Sequence, residues 1–93
     1  MMKYEISRTK TFRKQYNLLE KRGYNMGLLD DVILKLANGE TLPAKYRDHP
    51  LHGDKRGYRD CHIQPDWVLI YKIEKQQLVL LLSETGTHSD ILD

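Results

Sequence analysis

The chain has 93 residues, of which 40% are hydrophobic and 30% are charged, and its net charge is +2. This balance is typical of one compact domain spanning residues 1–93, and it excludes an intrinsically disordered chain. No apolar run approaches the ~20 residues that a membrane-spanning helix needs. The N-terminus lacks the apolar segment of a signal peptide, and a single cysteine cannot form an internal disulfide, so a cytoplasmic location without membrane attachment is favoured.

The positive charge is concentrated in two segments. Residues 1–23 carry seven lysines and arginines against two glutamates, and residues 45–59 carry five against two aspartates. Such segments suit a polyanion or an acidic protein partner. A solvated helix face with ordinary basic residues explains the first segment equally well.

The first half of the chain predicts a short strand and two helices. Residues 3–7 alternate apolar and polar side chains, as a strand does, and Ser7 is a candidate N-cap for a helix over residues 8–22. Apolar residues then recur from Leu29 to Ala37 at helical spacing, and the Asn-Gly pair that follows ends this second helix. Two helices joined by a few residues are expected to pack as an antiparallel hairpin.

The second half predicts a loop and three strands. Residues 41–57 show no period and are expected to form a long loop with a short strand near Leu51. Residues 57–63, 67–73 and 78–84 then have the composition of strands, separated by turns. The order β-α-α-β-β-β predicts an α+β fold in which the helical hairpin covers one face of a small antiparallel sheet and leaves the other face to a ligand.

Titratable side chains are expected to converge on that second face. Strand alternation places Asp60 and His62 on one side and Cys61 on the core side. The turn at 64–66 is expected to bring Asp66 close to His62. His88, after the last strand where Gly86 permits a tight turn, and His49, in the loop, complete a candidate set of four: His49, His62, Asp66 and His88.

Such a set suits cleavage of an RNA phosphodiester without a metal. One group removes the proton of the ribose 2′-OH, another protonates the departing 5′-oxygen, and cations stabilise the charge between them. Trp67 could stack on a base, although packing in the core is nearly as good an interpretation. A zinc site at the histidines of "HPLH" is the weaker alternative, because the chain has neither CxxC nor HExxH. His52 and Cys61 are interpreted as bystanders.

Three motifs resemble the YafQ-like branch of the RelE/ParE toxin superfamily. They are "DHPL" at 48–51, "YRDCHIQPDWVLIY" at 58–71 and "TGTH" at 85–88, and the resemblance covers nearly the whole chain. It implies a type II toxin, an mRNA interferase that cleaves messages on the ribosome and needs no cofactor or metal. It also implies neutralisation by a cognate antitoxin similar to DinJ or RelB, in a heterotetramer that could bind operator DNA.

Matched residue by residue, the resemblance assigns catalysis to His49, His62, Asp66 and His88, with Asp60 and Trp67 as supporting positions. The chain departs from the pattern at Glu84, where relatives carry an arginine, and at Leu92, where they carry an aromatic residue. Positive charge at the site must then come from elsewhere, and the candidates are Lys55, Arg56 and Arg59. These departures also favour an alternative, a non-catalytic toxin-fold protein that inhibits a topoisomerase or binds an operator with its antitoxin.

Overall fold

A computed structural model describes residues 2–91. Its helices and strands, in chain order, are β1 (Glu5–Arg8), α1 (Lys10–Lys21), α2 (Met26–Ala37), β2 (His49–Pro50), β3 (Arg59–Gln64), β4 (Trp67–Glu74), β5 (Val79–Thr87) and α3 (His88–Ile91). Single 3-10 turns lie at Ala44–Tyr46 and Gly53–Lys55. No helix in this described part of the chain is long and apolar enough to span a membrane.

The strands form one sheet in the order β1-β5-β4-β3-β2. The three long strands are an antiparallel meander, and β2 pairs antiparallel with β3. β1 pairs with β5 in the parallel sense, with Ile6 opposite Leu80. The predicted α+β fold and the order of its main elements are therefore confirmed. The parallel pairing of β1 with β5 was not predicted, because local sequence patterns do not specify it.

The helices cover one face of the sheet. Apolar side chains of α1 and α2, including Phe12, Leu29 and Leu36, form one buried cluster with Trp67 and Leu69 of β4. The hydroxyl of Tyr16 donates to Asp30 at 2.9 Å and links the two helices. Burial and this hydrogen bond raise the pKa of Tyr16 to about 12. The opposite, helix-free face carries the other side chains of each strand.

Two boundaries differ from the prediction. The N-cap of α1 is Thr9, whose hydroxyl accepts from the Phe12 N–H at 2.9 Å. Ser7 was a wrong choice because it is still paired in β1, opposite Leu81. The expected turn at Gly86 is also wrong, because β5 continues through Gly86 to Thr87. α2 ends before the Asn-Gly pair as predicted, and Gly39 has the positive φ of +81° that favours glycine.

Candidate active site

Two rows of side chains cross the helix-free face. Residues directly opposite each other in a ladder share a face of the sheet, so the register defines each row. The first row, from β2 to β5, is His49, Asp60, Ile70 and Glu84. The second row, from β3 to β5, is His62, Val68 and Gly86. Ile70 and Val68 are fully buried, so the polar residues stand around an apolar floor.

His49 is held at the edge of this face by two oxygens. Its Nδ1 donates to the Arg47 carbonyl at 2.7 Å, since a carbonyl can only accept. Its Nε2 lies 3.6 Å from Asp60 Oδ2. The expected short strand near Leu51 is in fact formed by His49 and Pro50, and this pairing with β3 places the ring in the first row.

His62 and His88 lie side by side, although 26 positions separate them in the sequence. Their ring centroids are 5.2 Å apart and the ring planes are tilted by 50°. The Nδ1 of His62 lies 3.3 Å from the Pro65 carbonyl, to which it donates. The turn between β3 and β4 thus orients one ring, and the end of β5 supplies the other.

Asp66 pairs with His88 rather than with His62. The Nδ1 of His88 donates to Asp66 Oδ1 at 3.1 Å, and the backbone N–H of His88 approaches the same oxygen at 3.4 Å. The turn at 64–66 was expected to bring Asp66 close to His62, but the hydrogen bond of its carboxylate is made with His88. The physical reason is the length of β5, which carries His88 as far as the β3–β4 turn.

The three histidines share one orientation relative to their partners. In His49, His62 and His88 alike, Nδ1 faces an oxygen acceptor. In the neutral form of each ring the proton is therefore on Nδ1, and Nε2 carries the lone pair that exchanges protons. Each ring can accept a proton at Nε2 when neutral and donate one from Nε2 when charged, and in His49 this nitrogen faces the Asp60 carboxylate.

Asp60 lies between His49 and Ile70 in the first row. It is only 3% exposed, and within residues 2–91 its Oδ1 has no hydrogen-bond partner. Burial raises the pKa of Asp60, and the nearby imidazoles of His49, His62 and His88 oppose that shift. The buried carboxylate therefore lies on the face that strand alternation predicted for it, two residues before His62 on β3.

A hydrogen-bonded cap fixes the start of α3, where His88 lies. The Thr87 N–H donates to Asp90 Oδ2 at 3.1 Å, and the Asp90 N–H donates to Thr87 Oγ1 at 3.2 Å. These bonds lower the pKa of Asp90, and Arg22 lies 3.6 Å from its carboxylate. The sequence reasoning missed this role, although Thr-x-x-Asp has the spacing of a capping box.

The structure excludes two of the predicted substrate contacts. Trp67 is only 1% exposed, its Nε1 donates to Thr85 Oγ1 at 3.0 Å, and its ring packs edge-on against Tyr24. Stacking of this ring on a nucleotide is therefore wrong, and the core interpretation holds. Arg59 lies on the helix side of the sheet, opposite Tyr71, and its Nε donates to Asp48 at 3.1 Å, so this arginine does not join the site.

Among the remaining charged residues, Glu84 belongs to the first row. Lys55 donates to Glu84 Oε2 at 2.8 Å, so Glu84 does face the site and is neutralised there by a lysine. Arg56 follows in the same loop and is exposed. Leu92, the other departure from the family pattern, lies outside the described residues.

The predicted bystanders are remote from this chemistry. His52 is exposed in the loop after β2, and Cys61 is buried on the helix side. Burial raises the pKa of the Cys61 thiol. Within residues 2–91, no group of three or more histidine, cysteine or acidic side chains has an arrangement that could hold a metal ion.

Comparison with known proteins gives a consistent result. A family model described as a bacterial toxin of type II toxin–antitoxin systems, YafQ, matches residues 4–93. The mRNA interferase toxin YafQ of Escherichia coli K12 is 40% identical over 90 residues, covering 96% of each chain.

Solved structures agree with the family model. In the E. coli DinJ–YafQ complex, the matching chain has a TM-score of 0.89 and 38% identity, with 97% of this chain and 99% of that chain covered. A metal-bound toxin from Helicobacter pylori has a TM-score of 0.89 and 40% identity, with 98% and 99% covered. The chain therefore belongs to the YafQ family of bacterial toxins of type II toxin–antitoxin systems.

Proposed function

We propose that this chain is an endoribonuclease that cleaves messenger RNA by metal-independent acid–base catalysis. The observation that carries the proposal is the clustering of titratable side chains on the helix-free face. His62 lies against His88, the Nδ1 of His88 donates to Asp66, and His49 lies beside Asp60. The E. coli relatives, named as mRNA interferases, support the choice of substrate.

The reaction needs two proton transfers. A neutral histidine takes the proton of the 2′-OH at Nε2, the 2′-oxygen attacks phosphorus, and the bond to the 5′-oxygen breaks. A protonated histidine donates its Nε2 proton to that departing oxygen, leaving a 2′,3′-cyclic phosphate. His49 and His88 are the proposed acid–base pair, and His62 and Asp66 complete the proton-transfer set.

Four groups outside this pair have a proposed task. Asp66 holds the His88 ring through Nδ1, and Asp60 supports His49 from below. Lys55 and Arg56 supply the positive charge that stabilises the phosphate in the transition state. A positioned acid or base contributes on the order of 10²–10⁴-fold.

The DinJ–YafQ complex and the charge of this chain support an antitoxin as one of the proposed partners. A cognate antitoxin similar to DinJ or RelB neutralises the toxin, in a heterotetramer that binds operator DNA. The basic segment within residues 1–23 suits an acidic antitoxin. The messages are cleaved on ribosomes, which places the activity in the cytoplasm.

The test is induction of the parent chain, of His88→Ala and of His52→Ala in cells without the antitoxin. Primer extension on abundant messages should show site-specific 5′ ends for the parent chain and for His52→Ala, an exposed loop histidine. His88→Ala should give at least about 100-fold fewer ends. Undiminished cleavage by His88→Ala would refute the assignment. Intact messages with a DNA-damage response in all three strains would favour a topoisomerase inhibitor instead.

A further inference from the structure

Lys55 and Glu84 form an ion pair at the rim of the histidine cluster. The Lys55 ammonium donates to Glu84 Oε2 at 2.8 Å and joins the loop after β2 to the middle of β5. Glu84 lies in the same row as Asp60, two strand spacings or about 10 Å away. The side chains of Lys55 and Glu84 are 41% and 21% exposed, so a ligand on this face can reach both.

The Lys55–Glu84 ion pair determines how much positive charge the helix-free face presents to a phosphate. Beside the histidines this face carries the carboxyl groups of Asp60, Asp66 and Glu84, and Lys55 is bonded to the last of them. The other lysine of the face, Lys72, pairs with Glu74 further along β4. While Lys55 is bonded to Glu84, its charge is already compensated. A phosphate that takes the lysine must therefore displace the carboxylate.

We infer that Lys55 is a phosphate-binding residue of the site and that Glu84 is a built-in competitor for it. This inference rests on the proposed function, because it takes the ligand to be single-stranded RNA. Glu84 holds the lysine over the face in the empty enzyme and lowers the affinity for RNA. Partly exposed ion pairs are weak, so the competition reduces the affinity by only about two- to fivefold.

The probe is a short RNA with 2′-O-methyl ribose throughout, which lacks the attacking hydroxyl. Its binding to the purified chain is followed by fluorescence anisotropy over a range of KCl concentrations. Glu84→Gln should bind about two- to fivefold more tightly than the parent. In this variant Lys55 is free to neutralise a phosphate, and no Glu84 carboxylate is left unpaired when it does so. The slope of log affinity against log salt should therefore steepen by up to about 0.7.

The matched control is Glu74→Gln. Glu74 pairs with Lys72 at 3.1 Å and also lies on the helix-free face, further along β4 and away from the histidines. Both substitutions remove one negative charge and one lysine–glutamate pair. An equal gain in affinity and slope in the two variants would overturn the inference, because a general change in net charge would then explain the effect.

A double variant separates competition from simple repulsion. Lys55→Ala alone should weaken binding, and Lys55→Ala combined with Glu84→Gln should lose the gain of Glu84→Gln. If the double variant keeps the full gain, Glu84 repels RNA without acting through Lys55, and the inference is wrong. Failure of the parent and Glu84→Gln to bind the probe also contradicts it. If the variants bound RNA as expected but the parent chain did not cleave it, the proposed nuclease activity would be contradicted and the roles of Lys55 and Glu84 in binding would not.

Discussion

The imidazole of His88 donates its Nδ1 proton to the carboxylate of Asp66 at 3.1 Å, across 22 positions of sequence. This contact joins the end of β5 to the β3–β4 turn and sets the tautomer of the ring. A carboxylate in this place serves the proton-transfer set by positioning the imidazole. It keeps Nε2 of His88 directed away from the turn and ready for the substrate.

Asp66→Asn should lower the rate of message cleavage by less than the loss of His88 itself, because the ring remains and only its orientation is weakened. We expect a loss of about tenfold, against about 10²–10⁴-fold for His88→Ala. Single-turnover cleavage on ribosomes carrying a defined message measures both. Asp54→Asn, in the exposed 3-10 turn, is the matched control and should keep the parent rate. A rate equal to the parent's in Asp66→Asn would contradict the positioning role.

Trp67→Phe should destabilise the fold without changing RNA affinity. The substitution removes the Nε1 bond to Thr85 and part of the edge contact with Tyr24. The free energy of unfolding in urea should fall by about 1–3 kcal/mol. Binding of the 2′-O-methyl RNA by the folded variant should match the parent. If Trp67→Phe had the stability of the parent but a clearly lower affinity for the RNA, Trp67 would have to stack on a base after all.

Arg59 and Arg56, three residues apart in the sequence, are expected to have different roles, one in stability and the other in RNA binding. Arg59 is bonded to Asp48, which also accepts from the Tyr71 hydroxyl at 2.7 Å, whereas Arg56 is exposed. Arg59→Ala should cost about 1–3 kcal/mol of stability and leave RNA binding unchanged. Arg56→Ala should leave stability within about 0.5 kcal/mol and weaken RNA binding. The reverse pattern would place Arg59 at the substrate.

Asp60→Asn should change the pH dependence of stability. Because burial raises the pKa of Asp60 above its usual 3.8, the folded chain holds this proton more tightly than the unfolded chain. The contribution of the protonated carboxyl to stability is full below pH 3.8 and is lost as the pH rises through the folded-state value. The stability of Asp60→Asn relative to the parent should therefore increase with pH.

Denaturant unfolding between about pH 3 and pH 7 measures this difference. Asp54→Asn, on the exposed loop, controls for the loss of one negative charge. A stability difference between Asp60→Asn and the parent that falls as pH rises would show that the histidines outweigh burial at this carboxyl.

Much of the fold could be predicted because its signals are local. The apolar stripe of α2 and the alternation of β3 are each complete within a few residues, and alternation correctly placed Asp60 and His62 on the helix-free face. The parallel pairing of β1 with β5 could not be predicted, since it joins strands more than 70 positions apart. The N-cap was misplaced for the same reason, because pairing with Leu81 keeps Ser7 in the strand.

The contacts within the site were harder to predict than the residues that form it. His62, Asp66 and His88 lie in contact, and His49 lies beside Asp60 in the neighbouring row. The partner of Asp66 depends on how far β5 extends, which composition alone does not determine. Trp67 was ambiguous because it opens an apolar strand beside a polar turn. Its place opposite Thr87 and in line with Leu69 puts it on the core side. Lys55 and Glu84, 29 positions apart, meet only in the folded chain.

Cleavage through the 2′-hydroxyl by histidines is tested most directly with a substrate that lacks this hydroxyl. A message with a single 2′-deoxy nucleotide at the mapped cleavage position is compared on ribosomes with the all-ribose message, in the presence of EDTA. The mechanism predicts cleavage of the all-ribose message to a 2′,3′-cyclic phosphate and no cleavage of the deoxy message. Equal cleavage of both messages, or activity that EDTA abolishes and a metal restores, would contradict it.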